Sequence, residues 1–166
     1  MSRGLRIRRA GPQDRAAIVA IYARAKLDEL ASEPVVPVLL PLPEDPDRLA
    51  AFEASTVFVA VEDEVLGFGA CTPGRIGMLF VDPPARGRGV GAALLARMLA
   101  GLPGEVELDV VASNTVAIAL YRRAGFERGG HYRASYNGVD VGVLKLRRAS
   151  GIARRDAATR ERFVRD

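Results

Sequence analysis

Cysteine, histidine and tryptophan are nearly absent from this chain of 166 residues, which holds one Cys, one His and no Trp. A lone cysteine cannot form an internal disulfide, and a lone histidine excludes a metal site built from several histidines. The roughly 18 consecutive apolar residues of a membrane-spanning helix are missing, as is an apolar signal core near the start. These absences predict a cytoplasmic protein that is neither secreted nor membrane-spanning.

An excess of positive charge is also missing from most of the chain, although its net charge is +4. Residues 147–166 hold seven Arg against three acidic side chains, whereas residues 1–146 hold 17 basic and 17 acidic ones. A neutral body that lacks interleaved aromatic residues opposes nucleic-acid binding. We therefore expect one domain over residues 1–148 and a basic, partly helical tail over 149–166, with neither nucleic acid nor a membrane as partner.

The apolar pattern predicts an α/β domain. Alternating or continuous apolar runs predict strands at 5–8, 56–61, 65–71, 77–81, 105–111, 133–136 and 139–146. Helical spacing predicts helices at 14–30, 46–54 and 89–100 and a tail helix at about 152–164. A further helix begins at a cap, Ser113 or Asn114, and ends at Gly125. Strand 77–81, helix 89–100 and strand 105–111 form one β-α-β unit, whose two strands should be parallel neighbours.

The connection between strand 77–81 and the next helix carries the strongest chemical signal. Residues 82–92 read Asp-Pro-Pro-Ala-Arg-Gly-Arg-Gly-Val-Gly-Ala. Glycine lets N–H groups approach a ligand, and the first N–H groups of a helix have no internal partners and attract anions. With Arg86 and Arg88, the stretch predicts a pyrophosphate cradle. A dinucleotide fold is disfavoured because five residues separate the strand from Gly87, and a P-loop because no Gly-Lys-Ser/Thr follows.

Two motifs in this order resemble the GNAT N-acetyltransferases. The first is Leu79-Phe80-Val81-Asp82-Pro83-x-x-Arg86-Gly87-x-Gly89-x-Gly91. It is similar to the family's acetyl-CoA motif, Arg/Gln-x-x-Gly-x-Gly/Ala. The second is Asn114 followed by Ala-Leu-Tyr121-x-x-x-Gly125-Phe126. The resemblance extends over about residues 5–147. It implies a single GNAT-type domain with a central mixed sheet of about seven strands, about four flanking helices and a splayed parallel pair that holds acetyl-CoA.

The resemblance also implies the cofactor-binding residues. They are Leu79, Phe80, Val81, Arg86, Gly87, Arg88, Gly89, Val90, Gly91, Ala92 and Asn114. Among them, backbone groups of Leu79 and Val81 would bond the pantetheine arm and the thioester oxygen. The N–H groups of residues 87–92 would bind the pyrophosphate, and Asn114 would contact the cofactor arm. No metal is implied.

Tyr121 and Asp109 are the predicted catalytic residues. Asn114 and Tyr121 lie two helical turns apart and can line one cleft. A tyrosine there can protonate the departing thiolate, although a core tyrosine would show the same spacing. Asp109 takes the place of a glutamate in the similar N-terminal-amine acetyltransferases of ribosomal proteins, and its shorter side chain would act through a water. Pairing with an arginine is its alternative role.

The general base therefore stays open among Asp109, its strand neighbour Glu107, His131 in an expected loop, and solvent. The predicted function is transfer of an acetyl group from acetyl-CoA to a primary amine, by direct attack on the thioester in a ternary complex. A transferase that uses another acyl-CoA and a non-catalytic acyl-CoA sensor are the alternatives. The acceptor, a small molecule or a peptide amine, and a homodimeric state stay open.

Overall fold

A mixed sheet of seven strands organises the protein, for which a computed structural model describes residues 4–150. The strands are β1 (Arg6–Arg9), β2 (Thr56–Val61), β3 (Val65–Thr72), β4 (Arg75–Val81), β5 (Val106–Val111), β6 (Glu127–Tyr136) and β7 (Val139–Arg148). The α-helices are α1 (Arg15–Glu29), α2 (Pro46–Glu53), α3 (Val90–Ala100) and α4 (Thr115–Arg123). The predicted α/β architecture, with seven strands and four helices, is confirmed.

The strands lie in the order β1-β2-β3-β4-β5-β7-β6, and every neighbouring pair is antiparallel except β4 and β5. The parallel pair follows from the β-α-β unit, because its crossover helix α3 returns the chain to the same end of the sheet. The predicted parallel pair is thus confirmed at the centre of the sheet.

Helices cover both faces of the sheet. Leu94 and Leu95 of α3 and Ile118 of α4 pack in one apolar cluster against it. On the opposite face, α1 buries the four residues whose spacing predicted the helix, and α2 adds Phe52. Those four residues of α1 are Ile18, Ile21, Tyr22 and Ala25. Phe68 of β3 lies between the rings of Phe52 and Phe80 in this second cluster.

A bulge in β4 changes which face its side chains reach. Ala70 pairs with Met78, but Cys71 pairs with Ile76, so Gly77 is an extra residue in β4. Ile76 and Met78 consequently pack in opposite clusters although they are two residues apart. The strand therefore places apolar side chains on both faces of the sheet, as a continuous apolar run predicts. Its last three residues, Leu79, Phe80 and Val81, are only half-buried. They are half-buried because β5 diverges from this half of β4.

The divergence of β4 and β5 is nearly complete. Their pairing is limited to Arg75 with Glu107, where the Glu107 N–H donates to the Gly74 carbonyl at 2.9 Å. Beyond that point β4 stays paired with β3, and β5 stays paired with β7. A cleft therefore opens between two parallel strands in the middle of the sheet.

The C-terminal hairpin is longer than its apolar pattern predicts. β6 begins at Glu127 rather than Arg133, so His131 lies in a strand and not in a loop. The turn is where the sequence predicts it, since Asn137 and Gly138 have φ of 50° and 84°. β7 runs to Arg148, and the predicted tail helix at 152–164 lies outside the described residues.

Asp14 takes the N-cap position of α1, but its side chain makes no capping hydrogen bond. Its buried carboxylate accepts hydrogen bonds from the Arg8 guanidinium at 2.7 and 2.9 Å and from the Gly11 N–H at 2.8 Å. These bonds, the one from Arg8 first, hold the pKa of Asp14 below its usual range despite the opposing effect of burial. Asp14 thus joins β1 to the start of α1.

We expect Asp14→Asn to lower the free energy of unfolding at pH 7 by about 1.5–3 kcal/mol, the range for hydrogen bonds to charged groups. A carboxylate whose pKa is lowered by folding stabilises the protein above its unfolded-state pKa of about 3.9, and this contribution is lost as the pH falls through the folded-state value. Urea unfolding of both proteins across the acid range measures this.

The matched control is Asp140→Asn, because the Asp140 side chain is exposed and its ion pair with Arg133 is 3.9 Å long. This control should change stability by less than about 0.5 kcal/mol. A difference between wild type and Asp14→Asn that stays constant down to pH 3 would contradict the assigned role of Asp14.

Candidate active site

A cleft of about 680 Å³ lies where β4 and β5 separate, and it is walled by α1, α3, α4 and the strand ends. Every predicted site residue except Arg88 lines it. Those residues are Leu79, Phe80, Val81, Arg86, Gly87, Gly89, Val90, Gly91, Ala92, Asp109, Asn114 and Tyr121. A second hollow of about 470 Å³ beside Arg9, Arg15 and Phe52 contains none of them. The structure therefore brings two motifs, residues 79–91 and 114–126, to one cleft.

The edge of β4 supplies unpaired backbone groups to the cleft. The Asp82 N–H donates to the Leu66 carbonyl at 2.8 Å, which identifies residues 66 and 82 as a hydrogen-bonded pair. Hydrogen-bonded and non-hydrogen-bonded pairs alternate along an antiparallel ladder. The backbone of Phe80 therefore bonds to β3, whereas the N–H and C=O groups of Leu79 and Val81 point away from β3, toward the cleft. This edge can accept an extended ligand in place of a strand. Phe80 contributes only its ring to the wall.

The glycine-rich loop offers a second set of free backbone donors. Gly87 and Gly89 have φ of 74° and 78°, and a Cβ on either would meet no heavy atom within 4 Å. The first intrahelical bond of α3 runs from the Ala93 N–H to the Gly89 carbonyl at 3.0 Å. The N–H groups of residues 90–92 precede that bond and lack helical partners, so they can bind an anion.

Gly91 serves packing rather than ligand access. A Cβ there would lie 3.3 Å from a Leu120 methyl and 3.5 Å from a Val81 methyl. Its missing side chain lets α3 approach both α4 and the end of β4. Of the three alternate glycines, the first two therefore leave open space at the cleft wall and the third sets the distance between elements.

Both arginines of the loop are held by carboxylates. Arg86 donates to Asp28 of α1 at 2.8 Å, and Arg88 donates to Glu62 in the β2–β3 turn at 2.6 Å. Four residues away on each element, Arg24 of α1 forms a bidentate pair with Asp82 at 2.9 Å. Two ion pairs of opposite direction thus link α1 to the β4–α3 connection, and of these only Asp28 and Arg86 line the cleft. Asp28 engages one N–H group of Arg86, which leaves the guanidinium further donors for a phosphate.

Asn114 and Tyr121 lie on α4, at the other side of the cleft from β4. The Asn114 side-chain oxygen accepts from the Ala117 N–H at 3.2 Å, which confirms Asn114 rather than Ser113 as the helix cap. Ser113 instead donates to Glu33 at 2.6 Å. The cap bond leaves the side-chain NH₂ of Asn114 available to a ligand.

Tyr121 is buried against Phe126, with ring centroids 5.8 Å apart. Burial first, and the negative charge of Glu29 second, raise the pKa of its phenol above the ordinary value. Within residues 4–150 its hydroxyl has no hydrogen-bond partner. A protonated phenol without a partner in a cleft wall can donate a proton to a ligand atom.

Asp109 lies on the face of β5 that looks toward α1 and α2. Its neighbours Leu108 and Val110 point the other way, into the cluster under α3 and α4. One carboxylate oxygen pairs with Arg75, and the other is buried with no partner at normal hydrogen-bond distance among the described residues. The Tyr132 hydroxyl lies next to this carboxylate, and burial, the charge of Asp109 and their hydrogen-bonding interaction raise the pKa of Tyr132. Pairing with an arginine, the alternative that the sequence left open, is thus found in the structure.

The other two candidate bases lie outside the cleft. Glu107 shares a face with Asp109 but pairs with Arg147 at 2.8 Å and Lys145 at 3.8 Å. His131 is opposite Leu144 in the β6–β7 ladder, and Leu144 packs in the cluster under α3 and α4. Paired residues share a face of the sheet, so the His131 side chain lies on the other side from Asp109.

Several residues of the α1–α2 side were missed by sequence reasoning. They are Glu29 and Lys26 of α1, joined at 2.8 Å, and Arg48 of α2, which all line the cleft. Tyr136 of β6, an aromatic residue that the sequence does suggest for shaping the acceptor cleft, lies beside them. The Tyr136 ring has the Lys26 Nζ and the Arg48 Cζ each 5.1 Å from its centroid. No motif surrounds these residues; only the helix start at Asp45-Pro46 could have pointed to Arg48 at an ordered position. Arg123 of α4 also lines the cleft and was likewise missed.

The profile of the Acetyltransferase (GNAT) family matches residues 17–126. The chain belongs to the GNAT family of acetyltransferases. A peptidyl-lysine N-acetyltransferase, YjaB, from Salmonella typhimurium is 32% identical over 123 residues, which are 74% of this chain and 74% of that protein. The N-alpha-acetyltransferase RimI from Mycobacterium tuberculosis is 42% identical over 72 residues, covering 43% of this chain and 46% of that one.

A solved structure with its cofactor acetyl-CoA, yncA from Salmonella typhimurium, shares the fold. Its TM-score is 0.67 at 21% identity, over 87% of this chain and 93% of that chain. The predicted GNAT fold and acetyltransferase class of the enzyme are thereby confirmed. In residues 4–150, no helix is long and apolar enough to cross a membrane, and no group of three or more metal-ligating side chains occurs.

The cleft fits acetyl-CoA by its own geometry. An extended pantetheine arm needs an unpaired strand edge, which β4 offers at Leu79 and Val81. A pyrophosphate needs convergent N–H groups and space in front of them, which the start of α3 and the bare Gly87 and Gly89 offer. The two features lie in succession along the β4–α3 connection.

We expect Gly89→Ala to weaken coenzyme A binding by about tenfold or more, because a methyl group at the cleft wall obstructs hydrogen bonds to a charged group. Gly104→Ala is the matched control. Gly104 also has a positive φ, 85°, and open space around its missing Cβ, but it lies outside the cleft. Calorimetry with coenzyme A measures both variants.

Both substitutions should destabilise the fold alike, by about 1–2 kcal/mol, since both place a Cβ in the left-handed region. Equal coenzyme A affinity in the two folded variants would show that the glycines of residues 87–91 serve only the turn.

Proposed function

We propose that the protein transfers the acetyl group of acetyl-CoA to a primary amine by direct attack on the thioester, in a ternary complex. The observation that carries this proposal is the common cleft. It unites an unpaired strand edge, a helix N-terminus, a protonated phenol and a carboxylate. The first two features suit the cofactor and the last two suit proton transfer.

The diverging strands give the two substrates separate entrances. Tyr121 belongs to the α4 side of the sheet, whereas Asp109 faces the α1–α2 side. A ligand bound along β4 would present its thioester between them, with the amine arriving from the α1–α2 side. Simultaneous access from two faces supports direct transfer without an acyl-enzyme. Cys71, the chain's one thiol, is buried in β3, and burial raises its pKa, so it is a poor nucleophile.

The chemistry requires two proton movements. Bound acetyl-CoA supplies an acyl group on a thiolate leaving group. Backbone N–H groups of Leu79 or Val81 would polarise the thioester carbonyl, because they are fixed donors at the cleft edge. Tyr121 would donate its proton to the departing sulfur. The raised pKa of Tyr121 keeps the phenol protonated at all working pH values.

The incoming amine must lose a proton, since an alkylammonium with a pKa near about 10.4 is mostly charged at pH 7. Asp109 would accept this proton through a water molecule, using the carboxylate oxygen that has no partner at normal hydrogen-bond distance among the described residues. Arg75 holds the other oxygen and fixes the direction of the carboxylate. Glu107 and His131 are disfavoured by their positions.

The alternative functions fit the cleft less well. A sensor that only binds acyl-CoA needs no phenol beside the sulfur and no carboxylate opposite it. Use of a longer acyl chain needs apolar space beyond the thioester, whereas that end of the cleft carries the charged side chains of Lys26, Glu29 and Arg48. Relatives named for peptidyl-lysine and N-alpha acetylation support a primary amine as acceptor. We further propose that the domain ends at about residue 148 and acts in the cytoplasm.

The direct test follows free thiol released from acetyl-CoA in the presence of a panel of primary amines. The panel contains amino acids, their amides, simple alkylamines and short peptides. Release that depends on both the enzyme and the amine, with the acetylated amine identified by mass spectrometry, is expected. Tight acetyl-CoA binding without amine-dependent release from any acceptor would favour the sensor.

We expect Tyr121→Phe to lower kcat by about 10²–10⁴-fold, near the lower end because a thiolate leaves readily, with little change in coenzyme A affinity. The substitution removes one hydroxyl group and keeps the ring packed on Phe126. Coenzyme A affinity and thermal stability of the variant show whether the cofactor site and the fold are intact. Wild-type turnover in the folded Tyr121→Phe variant would make Tyr121 a packing residue.

We expect Asp109→Asn to reduce turnover most below the pKa of the amine and to recover partly at higher pH. An amide cannot accept the proton, but at high pH the amine arrives neutral. Rate profiles from pH 6 to 10 measure this, with Glu107→Gln and His131→Ala as controls that should keep the wild-type profile. A profile unchanged by Asp109→Asn would assign the deprotonation to solvent.

A further inference from the structure

The α2 wall of the cleft carries a guanidinium that the proposed acetyl transfer does not use. Arg48 lies in the first turn of α2 and lines the cleft with a side chain that is 31% exposed. Its Cζ lies 5.1 Å from the centroid of the Tyr136 ring, a contact that restrains the guanidinium. An arginine restrained by an aromatic ring at a cleft wall is an ordered set of donors.

The counter-ion of Arg48 is weak and already committed. The Asp45 carboxylate is 3.4 Å from the Arg48 Nε, and its Oδ1 accepts the capping bond from the Arg48 backbone N–H at 3.2 Å. Charge-assisted bonds are normally about 2.7–2.9 Å long. By comparison, Lys26 and Arg86, two other cations of the cleft, have carboxylates at 2.8 Å. Arg48 is therefore better able to take an additional anion than either of them.

Lys26 reinforces the positive wall without being available itself. Its Nζ lies 5.1 Å from the same Tyr136 ring, and its side chain is only 4% exposed because Glu29 covers it at 2.8 Å. Glu29 neutralises the buried Lys26, so the half-buried Arg48, with its longer ion pair, is the cation that an incoming ligand meets.

Arg48 and Tyr121 line the same cleft, so an acceptor that reaches Tyr121 also faces this wall. Glu29, Lys26 and Tyr136 line it too: Glu29 pairs with Lys26 at 2.8 Å, and the Lys26 Nζ and the Arg48 Cζ each lie 5.1 Å from the Tyr136 ring centroid. The cleft thus suits a small molecule with an amine at one end and a second polar group at the other.

We propose that the acceptor is a small amine that carries an anionic oxyacid group, a carboxylate or a phosphoryl group, and that Arg48 binds this group. The proposal rests on the acetyltransferase function proposed above and names its acceptor class. The forked guanidinium of Arg48 bonds the two oxygens of the anion, with Tyr136 holding the fork in place. The amine then extends past Glu29 toward Tyr121. A peptide N-terminus lacks such a neighbouring anion and is the competing acceptor.

Matched acceptor pairs test the proposal. L-alanine is compared with L-alaninamide, which also imitates a peptide N-terminus, and 2-aminoethyl phosphate is compared with ethanolamine. We expect wild-type enzyme to prefer the anionic member of at least one pair in kcat/KM, and the pair that shows it distinguishes carboxylate from phosphoryl recognition. Equal or lower kcat/KM for both anionic members overturns the proposal.

Substitution of Arg48 assigns the effect to this residue. Arg48→Gln should raise KM for the anionic acceptor by about 10–100-fold, the effect of one lost bidentate charge contact, and for the neutral one by less than about threefold. The KM of each acceptor is compared between wild type and variant. The amine pKa, which differs between the acid and the amide, is then the same on both sides of each comparison. Arg48→Lys, which keeps the charge but not the fork, should lie between wild type and Arg48→Gln.

The control variant is Arg133→Gln, because Arg133 is an exposed arginine of β6 outside the cleft lining. It should leave both acceptors unchanged. Coenzyme A affinity and thermal stability of each variant show whether the fold and the cofactor site are intact. Equal KM increases for both members of a pair in Arg48→Gln would overturn the role of Arg48. Absence of both coenzyme A binding and thiol release in wild type would instead overturn the acetyltransferase proposal, and this inference with it.

Discussion

The loss of pairing between β4 and β5 is the constraint on which the rest of the site depends. Two parallel strands in the middle of a sheet normally share a full ladder, but here they share a single bridge, at Arg75 and Glu107. The unpaired groups of Leu79 and Val81 would be costly if they were buried without partners. They are exposed in a cleft instead. The bulge at Gly77 helps to turn the strand away at the same point.

Ion pairs join the elements that wall the cleft. Arg24 with Asp82 and Arg86 with Asp28 connect α1 to the β4–α3 connection. Exposed pairs of this kind contribute little to stability, about 0–1 kcal/mol each. Their importance lies in where the charges are. Under the proposed function, a phosphate on Arg86 shares that guanidinium with Asp28 of α1, the helix that also carries Lys26 and Glu29. Cofactor binding and the acceptor wall would thus be in electrostatic contact.

Local sequence was enough to predict most elements but not every role. The turn at Asn137-Gly138 and the cap at Asn114 were predictable because each depends on one or two residues. The early start of β6 was not, since residues 127–132 form a strand only by pairing with β7. Asp14 looks like a helix cap in sequence, yet Arg8 from the neighbouring strand takes its carboxylate. In each such case a partner far along the chain outweighs the local preference.

The sequence by itself determined the family, the parallel strand pair and the glycine-rich connection, because these depend on short motifs and on apolar periodicity. Tertiary structure alone decided which charged groups meet in the cleft. Asp109 and His131 both lie on strands, but only the ladder places them on opposite faces. Glu29, Arg48 and Tyr136 belong to three separate elements and carry no common motif. Their proximity arises from packing of α1 and α2 against the sheet, a long-range effect that no local pattern encodes.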